Sequence, residues 1–410
     1  MTIYNTHTLP NGLRIIHLPT DSEVVYCGYA VDAGTRDEKP SEEGIAHFCE
    51  HMTFKGTARL KPLHIINRLE LVGGDLNAFT TKEDTFYYAA VLRQHFNRAV
   101  DLLTDIVFHS EYPQHEIDKE VEVVCDEIDS YRDSPAELIY DEFENEVFKG
   151  HPLGHNVLGE SNRVKTFTTE DCRRFTERLY RTDNAVFYVA GNIDFPKLVK
   201  RLESALSTCD TTGEKPIRPT GFSFVLPQKR VKTIEADTHQ AHVMIGSVIS
   251  DEMDNYRIPL YLINNMLGGP AMNSRLNLSL RERRGLVYTV ESVMTSYSDA
   301  LLWSTYFGCD SHDVRRCRHL VEAEIRKVTD SSLSVIALEK AKRQLKGQLA
   351  LASENRENFA IDMAKQYLHR GTLKDTNRLC ENIDAVTPEE IHSMMQSFFT
   401  EDKLMTLIMK

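Results

Sequence analysis

His47, Glu50 and His51 fall within five consecutive residues of the run Gly44-Ile45-Ala46-His47-Phe48-Cys49-Glu50-His51-Met52. On a helix, His47 and His51 stand at i and i+4, so both imidazoles project from one face with Glu50 on its flank. Two imidazoles so placed suit Zn²⁺, which takes nitrogen ligands and needs at least one more ligand from the protein. Glu50 is then positioned to take a proton from a water on the metal, as the glutamate does in helices of the reverse order, H-E-x-x-H. Two His and a Glu also suit a solvated polar face. A third ligand decides between the two readings.

The segment Gln114–Asp129 reads as a helix that begins soon after Pro113. Glu120 and Glu127 are two turns apart in it and share a face with Val123 and Val124. Carboxylates at such positions are costly to bury unless paired or bound to metal. Either the helix is simply acidic and Glu127 faces water, or Glu127 completes the metal site. Beside the first motif the second reading is preferred, with Glu120 orienting a ligand or the water.

H-x-x-E-H at 47–51, followed by the second Glu of a Glu-x-x-x-x-x-x-Glu helix at 127, resembles the inverzincin peptidases: the pitrilysin/insulinase/mitochondrial-processing-peptidase family. The resemblance covers essentially the whole chain. Gly73-Gly74-Asp75-Leu76-Asn77-Ala78-Phe79-Thr80 looks like the family's substrate-edge strand, and Arg281 through Tyr288 like its C-terminal Arg…Tyr motif. Cys49 is a variant seen in the insulin-degrading branch, whose enzymes are far longer.

The resemblance implies a zinc metalloendopeptidase with one Zn²⁺ per chain, hydrolysing unfolded peptides in a closed chamber. His47, His51 and Glu127 would be the metal ligands, Glu50 the base and Glu120 the carboxylate orienting a ligand or the water. Tyr288 would donate to the carbonyl oxygen under attack, and Arg281 would hold a substrate carbonyl or position Tyr288. Asn77, Ala78 and Phe79 would contact a peptide that adds to the sheet as another strand. Family chambers contain four domains and this chain supplies two, so a homodimer is expected. The rival functions are a non-catalytic peptide-binding or scaffold subunit of the same fold, and a zinc enzyme acting on a non-peptide substrate.

Bulk properties fit an ordinary globular chain of 410 residues, 41% hydrophobic and 27% charged. A net charge of −13 with no basic tract argues against nucleic acid as a partner. The N-terminus lacks the basic and apolar regions of a signal peptide, and no apolar run approaches the ~20 residues of a membrane helix. The eight scattered cysteines read as reduced thiols, so a cytoplasmic location without membrane partners is expected.

A weak internal repeat sets the expected architecture. The strand at 24–34 has a counterpart at 241–248, and each precedes a helical stretch. Thr168 opens a helix leading to the strand 184–190, as the Thr387-Pro388-Glu389-Glu390 capping box opens one leading to 403–409. The fold class is therefore α+β: two homologous α/β-roll domains, each a mixed sheet covered by helices. The expected division is a catalytic domain at 1–213, a linker at 214–221 and a second domain at 222–410. The second copy has Asn264 and Asn265 where the first has its His and Glu, and Lys340, Lys342 and Arg343 in place of paired carboxylates. Its role would be wall and substrate contacts. The loop pair His151 and His155 is set aside as lacking a rigid ligand helix, and Cys49 is expected to pack inward.

Overall fold

The run Val24-Val25-Tyr26-Cys27-Gly28-Tyr29-Ala30-Val31 is dense in residues that suit a pleated, buried surface. In the computed structural model it forms a strand whose last five residues are all buried. The structure describes residues 3–207, 209, 218, 230–236, 238–250 and 253–410.

The chain divides into two units. The first comprises Met1–Ser130, His155–Pro219 and Ala352–Asp375; the second comprises Tyr131–Gly154, Thr220–Leu351 and Thr376–Lys410. These units differ from a simple cut between residues 213 and 222, because each half of the sequence lends one segment to the unit built mainly by the other. Of the expected linker 214–221, only Arg218 is among the described residues. It is held in the first unit by Asp37, with Nε 2.9 Å from Oδ1 and an Nη 2.8 Å from Oδ2, and by Asp32 at 2.8 Å.

The first sheet contains β1 (Asn5–Thr8), β2 (Arg14–Pro19), β3 (Val24–Val31), β4 (Asp75–Thr80), β5 (Thr85–Leu92) and β6 (Ala185–Gly191), in the order β1-β2-β6-β3-β5-β4. Only β2 and β6 run parallel. The second sheet contains β7 (Val231–Ile234), β8 (Ala241–Ile249), β9 (Val287–Ser296), β10 (Leu301–Cys309) and β11 (Met405–Met409), in the order β7-β11-β8-β10-β9. Here β7 and β11 are the parallel pair. Leaving out β1, the two sheets match strand for strand in order and direction. The duplication read from sequence is thus a duplication of topology, each mixed sheet packed by helices.

The main core of the first unit lies between its sheet and helices that include Ile45–Thr53, Phe96–Phe108 and Thr169–Leu179. The opposite face of that sheet is covered by helix Arg356–Arg370, whose Ala360, Met363, Ala364 and Leu368 pack on Ile16, Phe86, Val186 and Tyr188. The second unit is built alike. Its own helices cover one sheet face, and helix Pro135–Val147 covers the other with Ile139, Phe143 and Val147. Glycine is required at 246 on β8, since a Cβ there would lie 2.8 Å from Cζ of Phe143. Among the described residues, no helix is long and apolar enough to cross a membrane.

Candidate metal centre

Helix Ile45–Thr53 is positioned from its N-terminus. Gly44 has φ of +91°, and a Cβ on it would come within 2.9 Å of Gly159 Cα. Only glycine meets both conditions. The free amides of the first turn find an acceptor in Glu38, which takes the N–H of Gly44 at 2.9 Å and of Ala46 at 2.8 Å. His155 Nε2 stands 3.0 Å from the same carboxylate. Burial pushes the Glu38 carboxyl up to about 7, against the opposing pull of His155 and the two amides. His155, set aside on sequence as a loop residue, therefore belongs to the support of this helix.

Ile45, Ala46, Phe48, Cys49 and Met52 enter the core, with Cys49 fully buried, so the opposite face carries His47, Glu50 and His51. Helix Gln114–Arg132 brings Glu127 to them. Its Oε1 lies 3.8 Å from His47 Nε2 and its Oε2 lies 3.4 Å from His51 Nε2. One donor atom from each of the three residues can be chosen so that all lie within 4.8 Å of one another. Val123 does not share this face as the sequence suggested. It is exposed, whereas Glu120, Val124 and Glu127 form the stripe that follows a 3.6-residue turn.

Two imidazole nitrogens and a carboxylate form the donor set of a catalytic zinc site, which keeps a position open for water or substrate. The surroundings fit that ion. Burial and the neighbouring His51 lower the His47 imidazole to about 4, so it is neutral with a lone pair to give, and its buried Nδ1 has no hydrogen-bond partner among the described residues. Burial alone would lower His51 too. Its hydrogen bonds to Glu120 and Glu127 outweigh that and push it up to about 9, which marks a spot where positive charge is favoured.

Glu120 is buried beside His51, with Oε1 3.0 Å from Nδ1. That contact fixes the ring and turns Nε2 toward Glu127. Lys55 Nζ reaches the other oxygen of Glu120 at 2.5 Å. Burial would raise this carboxyl, but His51 and Lys55 hold it below its ordinary value. Lys55 lies just past the end of helix Ile45–Thr53, where helical spacing in the sequence does not reveal it. Glu50 is nearly buried, and its Oε2 accepts the hydroxyl of Thr80 at 2.5 Å. Burial, helped by Glu127, raises its carboxyl above the usual range despite that bond.

Of the three expected peptide contacts on β4, the structure brings only Ala78 to the side of the sheet that holds Glu50. Ala78 packs with Leu76 on the core containing the motif helix, and Thr80 continues that face. Phe79 packs on the opposite face, stacked on Phe86 at 4.8 Å, and Asn77 alternates with it. Asn77 Oδ1 instead accepts the amide of Ala78 at 2.9 Å. The strand is a sheet edge, as expected.

Arg281 and Tyr288 both belong to the second unit and meet each other. The guanidinium carbon lies 5.7 Å from the Tyr288 ring centre, and Tyr288 is 82% exposed. A π-helical turn, Asn277–Glu282, carries Arg281. It ends at Gly285, with φ of +60°, whose N–H donates to Arg281 O at 2.7 Å while Leu286 N donates to Leu280 O at 3.0 Å. That ending turns the chain into β9 with Tyr288 as its second residue. Among the described residues a second grouping, Asp310, His312 and Asp313, sits at the surface without a buried donor.

Residues 15–161 match the family described as Insulinase (Peptidase family M16), and residues 166–345 match the Peptidase M16 inactive domain. The chain is 33% identical over 405 residues to the uncharacterized zinc protease YmxG of Bacillus subtilis, covering 98% of this chain and 97% of that one. It is 32% identical over 393 residues to the uncharacterized zinc protease SCO5738 of Streptomyces coelicolor, covering 94% and 85%. Among solved structures, a protease from Helicobacter pylori superposes with a TM-score of 0.90 at 20% identity over the full length of both chains. A peptidase M16 inactive domain from Pseudomonas fluorescens gives 0.89 at 17% identity, covering 99% of this chain and 97% of that one. At those identities the likeness is one of fold.

Proposed function

The chain belongs to the insulinase (M16) family of peptidases, and from that premise we propose that it is a zinc-dependent endopeptidase of unfolded peptides with Glu50 as its base. The observation that carries this reading is the convergence of His47, His51 and Glu127 with the Glu50 carboxylate beside them on the same helix. Those three residues would hold one zinc ion. A zinc ion there supplies Lewis acidity and makes water a usable nucleophile near neutral pH.

The protein's own groups do the rest. Glu120 and Lys55 fix the His51 ring. Glu50, itself nearly buried, takes the proton of the attacking water and delivers it to the leaving amine. The free edge of β4 accepts an extended peptide through main-chain pairing, which tolerates many sequences. Tyr288 donates to a peptide carbonyl oxygen as it gains charge, and Arg281, stacked beside it, sets its orientation. The eight free cysteines suit a reducing, cytoplasmic setting. Two chains would associate as a homodimer, and a sedimentation mass near the 46.9 kDa of one chain would contradict that.

The test pairs zinc content with cleavage of a quenched fluorescent peptide, in the parent and in Glu50→Gln. Zinc in both with cleavage in the parent alone supports the proposal. Zinc in both with cleavage in neither favours a peptide-binding subunit that needs a partner.

A further inference from the structure

We infer that Thr80 is a positioning residue for the reaction proposed above: its hydroxyl ties one oxygen of Glu50 to the end of β4 and leaves the other for the proton in transit. The inference rests on Glu50 being the base. A nearly buried carboxylate on a helix has few water partners to hold it, and its last torsion is soft. A base that must meet a proton at hydrogen-bond distance needs that torsion fixed.

The structure supplies one direct tie. Thr80 Oγ1 lies 2.5 Å from Glu50 Oε2, at the short end of the range for a hydroxyl on a carboxylate. The direction of this bond follows from counting protons. Thr80 has one proton to give and two oxygens nearby, Glu50 Oε2 at 2.5 Å and Thr85 Oγ1 at 3.3 Å. Thr85 spends its own proton on the Ala33 carbonyl at 2.9 Å. The closer and charged acceptor takes the Thr80 proton.

Placement makes the tie rigid. Thr80 closes β4 and Thr85 opens β5, paired directly across the hairpin. Ala33 follows β3, the next strand in the sheet. Glu50, on a helix, is thereby anchored through the Thr80 hydroxyl to the closed end of the β4–β5 hairpin. The same β4 offers its outer edge to the peptide, so the base and the proposed peptide register share one support. Thr80 touches neither peptide nor metal in this account and acts only through Glu50.

The test uses the full chain carrying zinc, with Thr80→Val, which keeps the branched shape and removes the hydroxyl, and Thr80→Ser, which restores it. Thr80→Val should keep its zinc and a KM within about twofold of the parent while kcat falls about tenfold or more. Thr80→Ser should recover most of that loss. A kcat in Thr80→Val within about twofold of the parent, or Thr80→Ser as slow as Thr80→Val, would overturn the inference.

A second readout needs no activity. In metal-free protein, the melting shifts of Thr80→Val and Glu50→Ala should sum to more than the shift of the double variant, because both remove one bond. Additive shifts overturn the inference whatever the peptide assay shows. Thr80→Ala repeats the cycle if the valine variant does not fold. A parent that binds zinc and cleaves nothing overturns the peptidase reading instead, and the melting cycle still rules on the Thr80–Glu50 bond.

Discussion

Lys55 Nζ stands 2.5 Å from Glu120 Oε2, on the oxygen that His51 leaves free. One carboxylate thus joins a lysine to the His51 imidazole. The ammonium keeps Glu120 ionised, and the ionised oxygen holds His51 Nδ1–H, so Nε2 is the nitrogen left for a metal. Supporting partners of this kind usually change metal affinity about 10- to 100-fold when removed. Lys55→Met should weaken zinc binding within that range, and Glu120→Gln at least as much, both read by competition with a chelator. An affinity equal to the parent in both variants would leave the chain Lys55–Glu120–His51 with a packing role only.

Glu127 faces both imidazoles but is itself half exposed, its side chain retaining 44% of its accessibility. Its hydrogen bond to His51 holds the carboxylate in place, and its other oxygen faces His47, so the three side chains could share one ion. Glu127→Gln keeps the shape and removes the charge. The expected result is loss of zinc during gel filtration, with the fold intact by circular dichroism. Full zinc occupancy after that treatment would remove Glu127 from the ligand set.

The parts legible in the sequence were those whose partners lie at fixed spacing along one element. His47, Glu50 and His51 announce themselves because four residues make one helical turn, and Glu120 and Glu127 because seven make two. The duplicated strand and helix order could be read for the same reason. Thr80 and Lys55 stayed hidden. A threonine at a strand end and a lysine after a helix are ordinary residues, and only the tertiary fold shows which carboxylate each one meets. Asn77, Ala78 and Phe79 come together from the resemblance, and because a strand sends neighbours to opposite faces, only Ala78 has its side chain on the face of Glu50. The exchanged helices were invisible for a different reason. An apolar stripe on Pro135–Val147 or Arg356–Arg370 states that a face must be buried, not which of two sheets will bury it.

Asp84 anchors one of those exchanged segments. It is fully buried in the turn between β4 and β5 and accepts from His369 Nε2 at 2.8 Å, with Lys365 Nζ at 2.9 Å. Burial would raise its carboxyl, but His369, Lys365 and Thr81 hold it well below the ordinary range. A carboxyl lowered on folding adds stability that is complete above its unfolded value of about 3.9, and that is lost as pH falls toward the folded value. Asp84→Asn, which leaves the Lys365 ammonium facing an amide, should cost about 3 kcal/mol at pH 7. The difference from the parent in denaturant unfolding should narrow below about pH 4. A difference unchanged from pH 7 down to pH 3 would show that the Asp84 charge is not its source.

Phe143 tests the other exchanged segment. Its fully buried ring sits against Gly246 of β8, in a cluster with Met244, Leu302, Met405 and Leu407 of the second sheet. Truncating a buried phenylalanine typically costs about 3–5 kcal/mol through lost burial and the cavity left behind. Phe143→Ala should therefore lower the melting temperature, and it should do so through one sheet in particular. Hydrogen exchange followed by mass spectrometry should show faster exchange in β8 and β11, with β3 and β5 of the first sheet protected as in the parent. That pattern follows because Phe143, although encoded in the N-terminal half, buries its ring on the second sheet alone. Loss of protection confined to β3 and β5 would return helix Pro135–Val147 to the half of the sequence that encodes it.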